Sequence, residues 1–333
     1  MIIANKKNFS DVVLKEMEIP QAKKNEVLLK VCSCGVCGGD LNSSEEYRAF
    51  GHEMAGYVEK IGENVSNVSV GDRVVVESTS FCGACDNCKN GQVDLCSSPI
   101  SSLSNGFAEY AVVKSESCVI LPDDVSFKYA AIIEPLGVAI DLVKTAKIEM
   151  GDHVLIYGTG SIGLMALQLA KRNGASKVFA VLRSRSKKKA ELALKFGADE
   201  IIYSDKTNLL DFDFPKSGVD KALVTAQNYV IPEVLEILNY NGTLAFLGFG
   251  GEPMITINAN KFHVNKLQLK GAYSRPGIYF PLAIEMIRTG GISAEDMISH
   301  CLPLKDISKL MSIAGNERDK VVKAVMLAEN CSL

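Results

Sequence analysis

Between His153 and Gly174 the sequence reads HVLIYGTGSIGLMALQLAKRNG, and this stretch restricts the possible fold more than any other. Val154, Leu155, Ile156 and Tyr157 form an unbroken apolar run, as a parallel strand buried on both faces requires. Gly158, Gly160 and Gly163 follow as G-x-G-x-x-G. Glycines so spaced permit a tight turn, close approach of backbone to a pyrophosphate, and close packing of the next helix on the strand. Leu164 to Lys171 reads as that helix, whose first turn would aim N–H groups and the positive end of its dipole at phosphates. A second strand at Lys177 to Leu182 supplies the context that separates a dinucleotide site from a glycine-rich turn without ligand. The candidate cofactor contacts are therefore Gly158, Thr159, Gly160, Ser161, Ile162 and Gly163.

At 333 residues the chain exceeds one ordinary core, so two domains are expected, with about 135 residues ahead of the dinucleotide unit to build the second. The net charge of −3 and the lack of a long basic face argue against nucleic acid and anionic membranes as partners. No apolar run approaches a membrane span, and the N-terminus lacks the cationic-then-apolar layout of a signal peptide; the expected location is the cytoplasm. In a reducing compartment, clusters among the ten cysteines are better read as metal ligands than as disulfides.

Residues 1–31 have the texture of short strands, as in Glu26 to Val31. Next come C-S-C-G-V-C-G-G-D-L-N from Cys32 and A-F-G-H-E-M-A-G-Y-V from Ala49, in which Cys37, Asp40, His52 and Glu53 stand out. Thiolate, imidazole and carboxylate are the ligand types that hold a catalytic Zn²⁺ while leaving a position open. The alternative is two unrelated pieces of a β-rich core. Strand signals continue from Val65 to Val76, turning at Gly71-Asp72. Cys82, Cys85, Cys88 and Cys96 then fall as C-x₂-C-x₂-C-x₇-C in a short polar loop, the pattern of a closed tetrahedral zinc site whose binding energy orders the loop. An iron–sulfur cluster also uses four cysteines, but a single quartet without a Cys-Pro partner favours zinc. Cys32, Cys34, Cys118, Cys301 and Cys331 lack such spacing and read as ordinary thiols.

Phe127 to Thr145 reads as one helix, with Glu134 a lone acid in its apolar run. Such an acid is paired or metal-bound if buried, and unremarkable if it lies on an exposed face before Pro135. Beyond the glycine turn, strands and helices alternate through Leu267 to Ala272, which predicts a doubly wound parallel sheet. The last sixty residues show two helical patterns, Tyr279 to Thr289 and Ile307 to Ala314, then an apolar strand, Lys320 to Leu327. An NAD site places an acid about 20 residues past the glycines to accept from the ribose 2′-hydroxyl. Here the second strand runs instead into Arg183-Ser184-Arg185 and three lysines. A serine hydroxyl beside a guanidinium suits a 2′-phosphate. The other reading, a solvated basic helix start, is weakened because cations there oppose the helix dipole. The expectation is NADP(H) over NAD(H).

Taken together, G-V-C-G-G-D, G-H-E-M-A-G, V-G-D-R-V, the cysteine quartet, G-F-A-E-Y, E-P-L-G-V-A and G-T-G-S-I-G make the chain resemble the zinc-dependent medium-chain dehydrogenase/reductase family over essentially its whole length. The resemblance implies an α/β protein: a GroES-like β-rich catalytic domain at 1–136, a Rossmann doubly wound parallel-sheet domain at 137–273, and a return to the catalytic domain at 274–333. It implies two zinc ions per chain. Cys37 and His52 would be catalytic zinc ligands, Glu53 the adjacent acid that can coordinate or exchange, and Asp40 the acid that orients the imidazole. Cys82, Cys85, Cys88 and Cys96 would hold the structural zinc. Leu247, Tyr273 and Ser274 join Arg183, Ser184 and Arg185 as implied cofactor contacts. Glu134 stands where polyol, threonine and sugar dehydrogenases place Glu-Pro, contacting zinc directly or through water, so the resemblance favours their branch. Two departures stand out. Gly39 and Asn42 occupy the places of the usual hydroxyl-to-imidazole proton relay, and only fourteen residues separate Cys37 from His52. The function implied is hydride transfer between NADP(H) and a secondary alcohol of a polyol, sugar or related polyhydroxy compound, by a homo-oligomer. The alternatives are a simple alcohol or amino-alcohol dehydrogenase, and a nucleotide-binding protein of this fold that has lost catalysis.

Overall fold

The structure, a computed structural model, describes residues 1–101, 105–248, 253–273 and 276–331. Its backbone divides into two compact units, Met1–Gly137 with Arg275–Leu333, and Val138–Ser274.

The first unit is built on one long strand. Its strands are β1 (Ile2–Asn8), β2 (Asp11–Glu16), β3 (Glu26–Gly35), β4 (Arg48–Ala49), β5 (Glu53–Ile61), β6 (Arg73–Val76), β7 (Tyr110–Lys114) and β8 (Cys118–Ile120). β3 is almost wholly buried, and apart from the half-buried Glu26 and Lys30 its residues are apolar or small. One of its edges pairs antiparallel with β5 from Val27 to Gly35. Its other edge is shared, β7 taking the first half. The second half goes to the late strand β9 (Ala324–Leu327), beyond which lies a short parallel strand at His300–Leu302. A helix at Ile307–Asn316 buries Ile307, Leu310 and Met311 in the same core as Leu29, Met54, Phe107 and Met326. The C-terminal segment thus completes a core that the first 137 residues leave open.

Three local expectations change. The single helix expected over Phe127–Thr145 is two, α1 (Phe127–Ala130) and α2 (Ile133–Ala146), because the Ser126 hydroxyl caps a first turn that ends at Ala131. Of Val65 to Val76 only β6 is strand. Cys32 and Cys331, read as thiols, form a disulfide with Cα atoms 5.4 Å apart. The pairing of β9 with β3 brings them together, Ala328 donating its N–H to the Cys32 carbonyl at 2.8 Å. No spacing rule could link residues 299 positions apart.

In the second unit the main elements are β10 (His153–Tyr157), α3 (Ser161–Arg172), β11 (Lys177–Leu182), α4 (Lys187–Lys195), β12 (Glu200–Tyr203), β13 (Val219–Val224), α5 (Ile231–Glu236), β14 (Leu238–Phe246), α6 (Ala259–Val264) and β15 (Gln268–Gly271). Every pairing is parallel, in the order β12-β11-β10-β13-β14-β15. That is the 3-2-1-4-5-6 order of a doubly wound dinucleotide fold, with its ligand crevice at the carboxyl end of β10, where the order reverses. Among the described residues no helix is long and apolar enough to cross a membrane.

Candidate active site

Cys37 lies two residues past the end of β3 and caps a single 3₁₀ turn, Gly38–Leu41. Its sulfur accepts the Gly39 N–H at 3.4 Å, while the Asp40 carboxylate accepts the N–H of Cys37 at 2.9 Å. This reciprocal cap holds the thiol at the end of a buried strand. Asp40 is buried, and burial pushes its carboxyl up while the neighbouring His52 pulls it down. Asp40 therefore fixes the Cys37 turn by hydrogen bond and acts on His52 through charge.

His52 arrives from the other side. Phe50 packs on Phe107 with ring centroids 4.6 Å apart, and Gly51 then turns with φ +95°, where a Cβ would meet Phe107 and the Cys34 sulfur. Glu53 opens β5, paired with Gly35 of β3. A Cβ at Gly35 would collide with the Glu53 carboxylate, so that glycine gives the acid its space. One ligand atom each from Cys37, His52 and Glu53 lies within 4.8 Å of the others. Burial works against a charged His52, but its hydrogen bond to Cys37 and the carboxylates of Glu134 and Glu53 outweigh burial and lift it to about 10. A thiol, an imidazole and a carboxylate brought together in this way fit a Zn²⁺ with an open position.

Glu134, near the start of α2, is 8% exposed. Burial pushes its carboxyl up to about 7, against the pull of His52. It stands beside the cluster of three, and is not part of it.

Sequence reasoning missed Lys323. This lysine is 3% exposed, and its ammonium reaches both Glu53 oxygens at 2.7 and 2.6 Å and the Val36 carbonyl at 3.1 Å. The one signal available was a lysine directly before the apolar strand Ala324–Leu327. Glu53 is thus a committed ion-pair partner, 270 residues from the lysine that holds it.

The ligand atoms of Cys82, Cys85, Cys88 and Cys96 also lie within 4.8 Å of one another. Cys85 and Cys88 sulfurs are 3.5 Å apart, as are those of Cys96 and Cys82. Backbone N–H groups of Cys88 and Ser97, with the Ser97 hydroxyl, hold the Cys85 thiol down to about 5. Four thiols converging in a loop with little core of its own fit a closed tetrahedral metal site.

In the second unit Gly158 has φ +101°, and a Cβ at Gly163 would strike the Gly158 carbonyl. At Gly160 a Cβ would meet nothing, and no side chain caps the first turn of α3. Open space before uncapped N–H groups at Ser161, Ile162 and Gly163 fits a diphosphate. Thr159 is buried beside this turn. Leu247 follows β14 and donates its N–H to Val224 at 3.0 Å, so it sits at the carboxyl end of the sheet. Tyr273 is exposed just past β15, and Ser274 lies outside the described residues. Arg183, Ser184 and Arg185 follow β11, but Ser184 is engaged. Its N–H and hydroxyl both donate to the Asp205 carboxylate, at 2.7 and 2.6 Å. The acid absent from the end of β11 therefore reaches it from the loop after β12.

Residues 23–123 match the model of the alcohol dehydrogenase GroES-like domain, and residues 161–289 that of the zinc-binding dehydrogenases. The chain is 32% identical to the D-arabitol-phosphate dehydrogenase of Enterococcus avium over 93% of each chain. Its fold is similar to the NADH complex of an alcohol dehydrogenase from E. coli CFT073, with TM-score 0.89 and 25% identity over 98% of this chain and 99% of that one. It is also similar to a zinc-binding dehydrogenase from Sinorhizobium meliloti 1021 bound to NADP, with TM-score 0.86 and 25% identity over 98% of each chain.

Proposed function

The chain belongs to the zinc-dependent medium-chain alcohol/polyol dehydrogenase family and is an enzyme of that class; from that premise we propose that it transfers a hydride between NADP(H) and a secondary alcohol carbon of a polyol or sugar derivative. The observation that carries this reading is the convergence of Cys37, His52 and Glu53 in one unit, with Glu134 buried beside them. Similarity to a polyol-phosphate dehydrogenase supports a polyhydroxy substrate.

Cys37 and His52 would hold the catalytic zinc. Lys323 engages both oxygens of Glu53, which leaves Glu134 as the acid that completes the set, with Glu53 in reserve. The ion supplies Lewis acidity that lowers the pKa of a substrate hydroxyl. Asp40 keeps the Cys37 turn in place. Gly39 and Asn42 offer no hydroxyl-to-imidazole chain for the released proton, and the Asn42 carbonyl is taken by Lys6 at 2.7 Å. Cys82, Cys85, Cys88 and Cys96 would hold a second zinc that orders their loop. The glycine turn would bind the diphosphate, and Arg183 and Arg185 a 2′-phosphate. We place the enzyme in the cytoplasm as a homo-oligomer.

Kinetics on a panel of polyols, polyol phosphates and simple alcohols with both nicotinamide cofactors, alongside zinc analysis, test the reading. Polyols or their phosphates should be the best substrates, with NADP(H) preferred. Cys37→Ser should abolish turnover, and Cys85→Ser should chiefly lower stability. Simple alcohols outperforming polyols would remove the substrate class, and an NADH preference of about tenfold, ~1.4 kcal/mol, would remove the cofactor assignment.

A further inference from the structure

The cofactor assignment above rests on two arginines after β11, and the same turn contains an acid that works in the opposite direction. The strands put it there. Gly158 donates its N–H to Val181 at 3.0 Å, so the end of β11 adjoins the glycine turn. Leu182 pairs with Tyr203, and Ser204 donates to the Leu182 carbonyl at 3.0 Å, so the residue after Ser204 faces the residues after Leu182. That residue is Asp205. Its two carboxylate oxygens take the N–H and the hydroxyl of Ser184, at 2.7 and 2.6 Å, in an exposed turn.

We propose that Asp205 is a selectivity-determining residue for the cofactor: it opposes the 2′-phosphate that Arg183 and Arg185 attract, and so keeps NAD(H) usable beside NADP(H). The inference rests on the reading of this turn as the ribose end of the cofactor site. Ser184 is the residue at the distance from the glycines where an acid or a phosphate-binding group is expected. Both of its donors point at a carboxylate, which a phosphate would have to displace. The Ser184 hydroxyl, then its N–H, hold the Asp205 carboxyl below the usual aspartate range, so the group is an anion at neutral pH. A phosphate dianion brought beside it meets repulsion. A 2′-hydroxyl meets an acceptor with lone pairs to spare. Arg183, Arg185 and Lys206 lie within two residues of Ser184 or Asp205 in the chain and supply opposing positive charge, so removing the one negative charge among them should move the selectivity measurably.

The test measures kcat/KM with NADP(H) and NAD(H) for the wild type, Asp205→Asn, Asp205→Glu and Ser184→Ala. Asp205→Asn keeps the shape, still accepts the Ser184 N–H through its one amide oxygen and can donate its NH2 to the Ser184 hydroxyl, and should raise the NADP-to-NAD ratio about tenfold, mainly through a lower KM for NADP(H). Asp205→Glu retains the charge and should keep the ratio low. Ser184→Ala removes the hydroxyl but not the carboxylate, and should not reproduce the rise. An unchanged or lowered ratio in Asp205→Asn overturns the proposal, as does an equal rise in Ser184→Ala, which would assign the effect to turn geometry rather than charge. The wild-type ratio tests the cofactor assignment separately. A wild type that prefers NAD(H), with a rise in Asp205→Asn, keeps this inference and discards that assignment; a wild type that prefers NADP(H), with no rise, does the reverse.

Discussion

Two buried glutamates occupy the neighbourhood of His52, and one lysine separates their roles. Glu53 gives both oxygens to Lys323, whereas burial alone dominates the environment of Glu134 and pushes its carboxyl up to about 7. A buried carboxylate without a committed cation is the one that gains most from a metal. Glu134→Gln keeps the shape and removes the charge. It should lower turnover roughly 10- to 100-fold and leave cofactor affinity nearly unchanged, because the glycine turn belongs to the other unit. Turnover equal to wild type, with unaltered zinc content, would mean that Glu134 does not serve the metal. Glu134 drew notice in the sequence as a lone acid in an apolar run. Lys323 did not, because a lysine at the start of a strand is commonplace until its partner is known.

Among the elements, the parallel sheet of the second unit followed closely from the pattern of apolar runs. Its strands are buried on both faces, so Val154 to Ile156 and Val178 to Leu182 had to be continuously apolar. A polar contact also joins the start of β10 to β13. The Asp220 carboxylate accepts the His153 N–H at 2.8 Å, Asn239 at 2.8 Å and the Lys216 ammonium at 3.3 Å. Burial alone would raise its pKa, but these donors outweigh burial and hold it below the usual range. A depressed folded pKa means stability that is present above the unfolded value, ~3.9, and lost as pH falls through the folded one. Asp220→Asn should therefore destabilise the protein by ~1–2 kcal/mol at neutral pH, with the difference shrinking as thermal unfolding is measured at lower pH. A difference that persisted undiminished in strong acid would contradict this role. The single helix expected over Phe127–Thr145 is two for a related reason, since a serine cap at Ser126 and a break at Ala131 are local hydrogen-bonding choices inside a helical pattern that runs across them.

For the whole molecule, the main consequence of folding is the closure of the first unit by its own C-terminus. β9 completes the sheet, carries Lys323 to Glu53 and lies just ahead of Cys331, which bonds to Cys32. Both cysteines are buried, so an attacking thiolate has little access and reduction of the folded protein is slow. Thiol titration of denatured, metal-stripped protein should find eight cysteines before reduction and two more after it. Cys331→Ser should lower stability by ~2–4 kcal/mol. Ten reactive thiols without reductant would show that the bond is absent. By itself the sequence determined whatever depends on neighbours along the chain: the glycine turn with its flanking strand and helix, and the cysteine quartet, because their spacing is their geometry. Only the tertiary structure decided which charges meet. Lys323 with Glu53, Asp205 with Ser184, and Cys32 with Cys331 are each joined by strand pairing between distant segments, and such register is set by the burial of whole faces rather than by any local pattern.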